Sequence, residues 1–181
     1  MIPNLISSLL CIVDIQEKLI GAMGCPQEML KRSKILLEAS RALGLPMVAT
    51  EQYPRGLGPT LPEIRELFAE GTPVIEKIHF SCFGAEGFRS AVAVSEAKNL
   101  ILIGIESHVC VLQTALDALA LGKTVYLAED CVDSRYASDK ASALAYMRNE
   151  GVKVLTSEML LFLFLRDASH PCFKTISQLI K

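Results

Sequence analysis

Short apolar runs alternate along the chain with longer segments of helical period, and this alternation constrains the fold more than any other feature. The clearest runs are LLCIVD at residues 9–14 and NLILIG at residues 99–104. Runs of this length without polar alternation are typical of strands buried on both faces. Such strands, separated by helices, predict an α/β fold with a parallel sheet.

The alternation continues along the whole chain of 181 residues without a linker or repeat. The predicted strands are residues 9–14, 46–50, 73–76, 99–104, 124–128 and 153–155. The predicted helices are residues 26–43, 61–70, 87–95, 107–121, 138–149 and 157–165, with a last helical turn or two in residues 171–181. Right-handed crossovers favour a doubly wound, mostly parallel six-stranded sheet of order 3-2-1-4-5-6 with helices on both faces. We expect a single domain over residues 1–181.

Composition limits the partners of such a domain. Hydrophobic residues make up 51% of the chain, and a covered sheet accounts for only part of them. An interface between copies would cover the rest, so we expect a homo-oligomer such as a dimer, a tetramer or a larger ring. The net charge is −2 and no basic run is present, which argues against nucleic acid as a partner.

Cysteine usage and the N-terminal run indicate a cellular compartment. The six cysteines include no CxxC pair, and Cys11 and Cys110 lie inside apolar runs, where disulfide frameworks are unusual. The first apolar run has no basic flank or cleavage site, and Asp14 ends it well short of a membrane span. We therefore predict a reduced, cytoplasmic protein that does not enter membranes.

Three reactive side chains follow predicted strands. Asp14 ends the first strand, Lys77 follows the third, and Cys110 follows the fourth. Ligands of doubly wound sheets lie beyond the carboxyl ends of the strands, so these side chains can converge there. A helix N-terminus and an ammonium group stabilise a thiolate, and a carboxylate can accept the thiol proton. The set predicts a nucleophilic cysteine held as an anion.

Each of these residues also has a common structural explanation when it is taken alone. A strand-terminal Asp often caps a helix or binds a loop. A single Lys is usually solvated, and a Cys in an apolar segment is usually a small buried hydrophobe. The three residues become specific only through the motifs that flank them.

These motifs are DIQEKL after the first strand, EKIHFSCF after the third, and GIESHVCVLQTALDA after the fourth. They resemble the D-x-Q, K-x-x-x-S-x-F and G-x-x-[ST]-x-x-C-V-x-x-T-A segments of the isochorismatase-like cysteine hydrolases. That family includes nicotinamidases and N-carbamoylsarcosine amidase. EQYPRGLGPT and the ending DASHPCFKTISQLIK resemble its isochorismatase domain-containing subgroup.

The resemblance implies a role for each reactive residue. Cys110 is the implied nucleophile, Asp14 the general base, and Lys77 the residue that orients and balances them. A cis peptide is implied between Ile105 and Glu106, and the backbone N–H groups of Glu106 and Cys110 would then form an oxyanion hole. Isochorismatases proper lack the cysteine, so the implied reaction is C–N hydrolysis of a small amide or ureido/carbamoyl compound through a thioester.

The sequence departs from the metal-binding members of the family. Nicotinamidases hold a metal through a D-x-H element after the second strand, where this chain has Glu51, Gln52 and Tyr53. His79, His108 and His170 do not supply the missing spacing. We therefore expect neither a metal nor another cofactor. The predicted substrate-binding residues are Gln16, Leu19, Tyr53, Phe80, Phe83 and His108.

Two other functions stay open at this point. The chain could be a catalytically silent or regulatory oligomer with a redox-sensitive Cys110, or, less in keeping with its composition, a ribonuclease. Labelling with iodoacetamide across pH would separate the silent or regulatory oligomer from the cysteine hydrolase. An activated thiol is expected to react well below pH 8, whereas a buried structural thiol should barely react.

Overall fold

The computed structural model describes residues 3–181, which fold around one parallel sheet. Its strands are β1 (Ser8–Val13), β2 (Met47–Gln52), β3 (Val74–Lys77), β4 (Asn99–Ile105), β5 (Thr124–Asp133) and β6 (Lys153–Leu155). Their order across the sheet is β3-β2-β1-β4-β5-β6, and all neighbouring pairs are parallel. The predicted fold class and strand order are confirmed. Residues 1 and 2 of the predicted domain lie outside the described residues.

Helices connect the strands and cover the sheet. Along the chain they are α1 (Glu17–Ile20), α2 (Pro26–Ala42), α3 (Pro54–Leu57), α4 (Pro62–Arg65), α5 (Glu86–Val94), α6 (Leu112–Ala120), α7 (Ala137–Asn149), α8 (Ser157–Leu165) and α9 (Phe173–Leu179). Shorter 3₁₀ turns are formed by Leu5–Ser7 and Cys82–Gly84, and Ser107–Val111 forms a π-helical turn. Within residues 3–181, no helix combines the length and apolar character that crossing a membrane requires.

Two hydrophobic cores, one on each face of the sheet, explain why β1 and β4 are buried along their whole length and apolar after their first residues. In β1, Leu9, Cys11 and Val13 point into the first core, and Leu10 and Ile12 point into the second. This division follows from the alternation of side chains along a strand. The first core is closed by helices α5, α6 and α7, and the second by helices α2, α8 and α9.

The helix predicted over residues 61–70 is wrong in its extent, because only Pro62–Arg65 is α-helical. The chain then continues in tight turns, in which Leu67 N donates to Ile64 O and Phe68 N donates to Arg65 O. These turns bring Leu67 and Phe68 against the second core. Tertiary packing therefore overrides a segment whose local pattern favours a longer helix.

The strand that follows α6 is also longer than predicted. Strand β5 continues past residue 128 to Asp133, and its pairing with β4 shifts between Leu102 and Gly104. Gly104 has a φ of +116°, and a Cβ atom there would lie 2.0 Å from the carbonyl oxygen of Val13. Only glycine allows β1 and β4 to approach so closely at this point.

Candidate active site

The three reactive side chains predicted from the sequence meet at the carboxyl edge of the sheet. Asp14 directly follows β1, Lys77 is the last residue of β3, and Cys110 lies in the π-helical turn after β4. Lys77 Nζ is 2.6 Å from Asp14 Oδ2 and 3.5 Å from Cys110 Sγ. One ammonium group therefore joins the carboxylate to the sulfur.

The ammonium group of Lys77 is held from several sides. Its side chain is fully buried, and Nζ also donates to Gln52 Oε1 at 2.7 Å and to the carbonyl oxygens of His79 and Phe80 at 3.2 and 3.1 Å. Burial is the largest single influence and would lower the pKa of Lys77, but the negative charge of Asp14 together with Cys110 and Cys82 outweighs it, so the pKa is raised. Lys77 is thus a fixed positive charge at neutral pH.

A different set of influences determines the pKa of the Cys110 thiol. Burial is the largest influence and raises the pKa of the thiol to about 12, and the charge of Asp14 adds to the increase. Lys77 acts in the opposite direction but does not cancel the other two. This balance favours a neutral thiol at neutral pH, in contrast to the resting anion expected from the sequence.

The second oxygen of Asp14 has a partner that the sequence analysis missed. Thr50, in β2, donates from Oγ1 to Asp14 Oδ1 at 2.7 Å, and the same hydroxyl lies 3.6 Å from Cys82 Sγ. The parallel register pairs Val13 with Thr50, which places Thr50 beside the start of the Asp14 turn. Asp14 itself has a φ of +50°, an uncommon conformation for a residue other than glycine. The pairing register of β1 and β2 is the signal that would have identified Thr50.

Three consecutive residues anchor the turn that carries Cys110 to the end of β5 and the loop after it. Hydrogen bonds join Glu106 Oε2 to Arg135 N (3.2 Å) and Nε (3.1 Å), Ser107 Oγ to Asp133 O (2.9 Å), and His108 Nδ1 to Ser134 Oγ (3.0 Å). The peptide bond between Ile105 and Glu106 is cis. Because the Glu106 side chain pairs with Arg135, its charge is already compensated.

Gln16, a predicted substrate contact, is fully buried and joins two loops. Its Nε2 donates to the carbonyl oxygens of Gln52 and Gly58, at 3.0 and 2.6 Å, and its Oε1 accepts from Gln52 N at 2.7 Å. A substrate would reach Gln16 only if this network opened. Through Gln52, the network also supports the position of Lys77.

Two further predicted substrate contacts are engaged in packing. Leu19 lies against a small apolar cluster of Met23, Met29 and Ile105. Phe83 is buried in the first core, where its ring contacts Phe88 edge to face with the ring centroids 5.1 Å apart. Their contribution to a binding pocket stays a prediction.

The other predicted contacts retain exposed surface. Tyr53 is 51% exposed and Phe80 53%, and the His108 side chain is partly buried between Ser134 and Asp139. A cavity of about 540 Å³ lies along the outer edge of β3, with Tyr53 in its wall. Lys77 reaches this cavity through its main chain, because its side chain is fully buried.

The segment that would carry a metal-binding D-x-H element has other partners. Glu51 Oε1 accepts from Thr60 N at 2.7 Å and from Thr60 Oγ1 at 2.8 Å, and it lies 3.6 Å from Arg65 Nη1. The amide oxygen of Gln52 is used by Lys77. Over residues 3–181, no three His, Cys, Asp or Glu side chains come together in a set suited to a metal ion.

Comparison with known proteins gives a family match over most of the chain. The family profile described as "Isochorismatase domain" matches residues 8–159. A mouse protein named isochorismatase domain-containing protein 2A is 39% identical over 175 residues, which cover 97% of this chain and 83% of that protein.

Solved structures give matches of similar extent. A structure named MAR1 ribonuclease, from Caenorhabditis elegans, is 37% identical, with a TM-score of 0.94 over 99% of this chain and 92% of that chain. YcaC from Escherichia coli, described as an octameric hydrolase of unknown specificity, is 23% identical, with a TM-score of 0.94 over 99% of this chain and 89% of that chain. At 23% identity, the match to YcaC supports the fold alone.

Proposed function

The chain belongs to the isochorismatase family, and we propose that it is a cysteine hydrolase that cleaves the C–N bond of a small amide, ureido or carbamoyl compound. The observation that carries the proposal is the contact of Lys77 Nζ with both Asp14 Oδ2 and Cys110 Sγ at the buried carboxyl edge of the sheet. This arrangement supports the proposal, because a carboxylate, a cation and a thiol this close together can act on one reacting carbon as base, fixed charge and nucleophile.

In the first step, Cys110 Sγ attacks the carbonyl carbon while its proton passes to Asp14. The raised pKa of the thiol fits this order, because the proton stays on sulfur until the substrate is present. Asp14 is a suitable acceptor, since its Oδ2 lies 2.6 Å from the same Lys77 Nζ that contacts Cys110 Sγ. Lys77 stays charged and keeps the carboxylate in place.

The carbonyl oxygen becomes negatively charged as the C–S bond forms. The backbone N–H groups of Glu106 and Cys110 are the proposed donors to it, since Glu106 directly precedes the π-helical turn and Cys110 lies within it. The side-chain hydrogen bonds of Glu106, Ser107 and His108 to the end of β5 and the loop after it would fix the orientation of these donors. Preorganised donors of this kind contribute about 100-fold or more to the rate.

Collapse of this intermediate completes the C–N cleavage. Asp14 returns its proton to the nitrogen, which leaves as ammonia or an amine, and the acyl group stays on Cys110 as a thioester. Asp14 then takes a proton from water, and the resulting hydroxide attacks the thioester carbon. Collapse of the second intermediate releases the acid, and the sulfur recovers its proton from Asp14.

Burial and charge limit the substrate. Only 7% of Cys110 is exposed, so the group that reaches the sulfur must be small. Asp14 and Lys77 together have no net charge, and Glu106 is paired with Arg135. An uncharged amide or ureido group at the reacting end therefore suits the site.

Screening small primary amides and ureido compounds for ammonia release tests the proposal. We expect the parent protein to release ammonia and to form a thioester adduct on Cys110, detectable by mass spectrometry after acid quench. Cys110→Ala should do neither, whereas Cys131→Ala, which alters a buried cysteine of the opposite core, should retain activity. Release of ammonia by Cys110→Ala at the parental rate would refute the mechanism.

The name of the C. elegans structure makes RNA hydrolysis a second candidate. In this chain the 18 Lys and Arg residues are outnumbered by 20 Asp and Glu residues, which does not favour a polyanion. Incubation with a single-stranded RNA separates the candidates. If the parent cleaves RNA and Cys110→Ala cleaves it as well, the nuclease site lies elsewhere in the protein. If the parent does not cleave RNA, the amide hydrolase remains the proposed function.

We also propose that the protein forms a homo-oligomer, in keeping with the octamer described for YcaC. Tyr53, Ile78 and Phe80 are large apolar residues with about half or more of their surface exposed, and they lie in neighbouring segments. Light scattering coupled to gel filtration gives the mass directly. Replacing Ile78 and Phe80 by Ser should reduce that mass, and a monomeric parent would contradict the proposal.

A further inference from the structure

The two carboxylate oxygens of Asp14 have different surroundings. Oδ1 accepts a hydrogen bond from Thr50 Oγ1 at 2.7 Å, on the side of β2. Oδ2 lies 2.6 Å from Lys77 Nζ, which in turn contacts Cys110 Sγ. Asp14 is fully buried and Thr50 almost so, which means that water does not substitute for either partner. One oxygen therefore faces the sheet, and the other faces the nucleophile.

The direction of the Thr50 hydrogen bonds follows from the protons available. A carboxylate in an ion pair has no proton to donate, so the Thr50 hydroxyl must donate to Asp14. That uses the one hydroxyl proton, so Thr50 Oγ1 can only accept from Cys82 Sγ at 3.6 Å. Burial, followed by the charge of Asp14, raises the pKa of Cys82 to about 11, so this thiol retains its proton. A chain of donors runs from Cys82 through Thr50 to Asp14.

We propose that Thr50 is a positioning residue, which keeps Asp14 ionised and directs the proton from Cys110 to Oδ2 by occupying Oδ1. The proposal rests on the proposed function, in which Asp14 is the general base. The other titratable groups that face Asp14 are Lys77 from β3, Cys110 from the π-helical turn and Cys82 from the turn after β3. Thr50 differs from these three titratable groups because its hydroxyl is neutral, so the charge of Thr50 does not change with pH.

Loss of the Thr50 hydroxyl has a defined consequence for Asp14. A hydrogen bond donated to a carboxylate stabilises the ionised form, so its removal favours the protonated form. A buried Oδ1 without a donor would also become an alternative site for the transferred proton. The acid limb of the pH–rate profile should therefore move to higher pH.

Thr50→Val tests this consequence, because valine preserves the shape of threonine. Two measurements are made: the pH profile of kcat/KM for an amide that the parent hydrolyses, and a carboxyl ¹³C NMR titration of aspartate-labelled protein, with Asp14→Asn used for assignment. We expect the acid limb and the midpoint of the Asp14 carboxyl signal both to move to higher pH, with a rate about 10-fold lower at neutral pH. Thr50→Ser should restore both values.

Thr60→Val is the matched control. Thr60 is equally buried and donates from Oγ1 to the carboxylate of Glu51 at 2.8 Å, outside the proposed machinery. This variant loses the same kind of hydrogen bond from the same kind of residue. We expect the Asp14 titration and the acid limb to remain at their parental positions, so a general effect of losing a buried hydroxyl is separated from a specific one.

The two measurements distinguish the two proposals. An unchanged Asp14 titration in folded Thr50→Val, or an equal change in Thr60→Val, would overturn the role of Thr50 while leaving the hydrolase intact. A shift of the Asp14 titration in Thr50→Val, in a protein that hydrolyses no amide, would refute the proposed function and retain the effect of Thr50 on the carboxylate.

Discussion

Two buried carboxylates lie at the ends of neighbouring strands, and their surroundings differ in one decisive respect. Asp14 follows β1 and Glu51 lies in β2, and each accepts a hydrogen bond from a threonine hydroxyl and has a cationic partner. The partner of Asp14 is a fully buried lysine at 2.6 Å, whereas the partner of Glu51 is Arg65, which is 54% exposed and 3.6 Å away.

The difference shows what turns a structural carboxylate into a candidate base. Glu51 binds the backbone and hydroxyl of Thr60 and so fixes a loop. Asp14 has a sulfur within reach of the same ammonium that neutralises it. Hydrogen bonding and burial are common to both sites, so the adjacent nucleophile and the fully enclosed cation distinguish them.

The largest expected effect comes from removing each carboxylate charge in turn. Asp14→Asn should lower kcat for amide hydrolysis by about 1000-fold, because the thiol proton loses its acceptor. Glu51→Gln should change kcat by no more than about threefold, since the amide oxygen can still accept from Thr60. Steady-state kinetics on the same amide measure both. A comparable loss in the two variants would mean that the two carboxylates have one structural role.

Removing the cation should have the next largest effect, on stability. Lys77→Met leaves a buried carboxylate without its counter-charge, so the free energy of unfolding should fall by about 3 kcal/mol. Urea denaturation at pH 7 measures this change. The loss should decrease as the pH is lowered, because a protonated Asp14 no longer needs the cation. A stability equal to that of the parent at pH 7 would show that Asp14 is already neutral there.

The pH dependence of alkylation sharpens the comparison further. Because burial and the charge of Asp14 raise the pKa of Cys110 to about 12, iodoacetamide should label it slowly at pH 8 and faster as the pH rises toward that value. Asp14→Asn removes a negative charge that opposes ionisation, so the midpoint should fall by about one unit. Glu51→Gln should leave it unchanged.

Peptide mapping after labelling measures the alkylation of each cysteine separately. Cys25 is exposed and should be labelled at pH 8 in every variant, which makes it an internal control. Labelling of Cys110 at pH 7 as fast as that of Cys25 would contradict the neutral resting thiol. Slow labelling alone does not indicate a silent protein, so the response to Asp14→Asn is the informative result.

The smallest expected effect is that of the exposed cation. Arg65→Met should lower the free energy of unfolding by about 0.5 kcal/mol or less, because a solvent-exposed partner at 3.6 Å contributes little. The same urea series measures it beside Lys77→Met. A loss as large as that of Lys77→Met would remove the distinction between the two carboxylates.

The sequence is most informative where the pattern is local. Buried strands such as β1 and β4 are continuous apolar runs, so their positions and the α/β strand order follow from the chain itself. The extension of β5 to Asp133 and the tight turns after Arg65 depend on contacts with distant residues. No local pattern encodes those contacts, and both were missed.

The candidate site divides in the same way. Asp14, Lys77 and Cys110 were identified because they follow strands inside recognisable motifs. Thr50 and Cys82 were missed, since their contacts arise from the pairing of β1 with β2 and from the turn after β3. The raised pKa of Cys110 could not be expected from the sequence, because burial, its largest influence, is a property of the packed molecule.

The close approach of the two central strands at Gly104 has a consequence for the tolerance of this protein to mutation. Any side chain at position 104, six residues before Cys110, would have to displace the carbonyl of Val13, the residue directly before Asp14. In a saturation library scored by turnover, position 104 should be as intolerant as a reacting residue, although it contributes no reactive group. Substitutions intended to widen the specificity should therefore be made at the exposed residues Tyr53 and Phe80, and Gly104 should be kept.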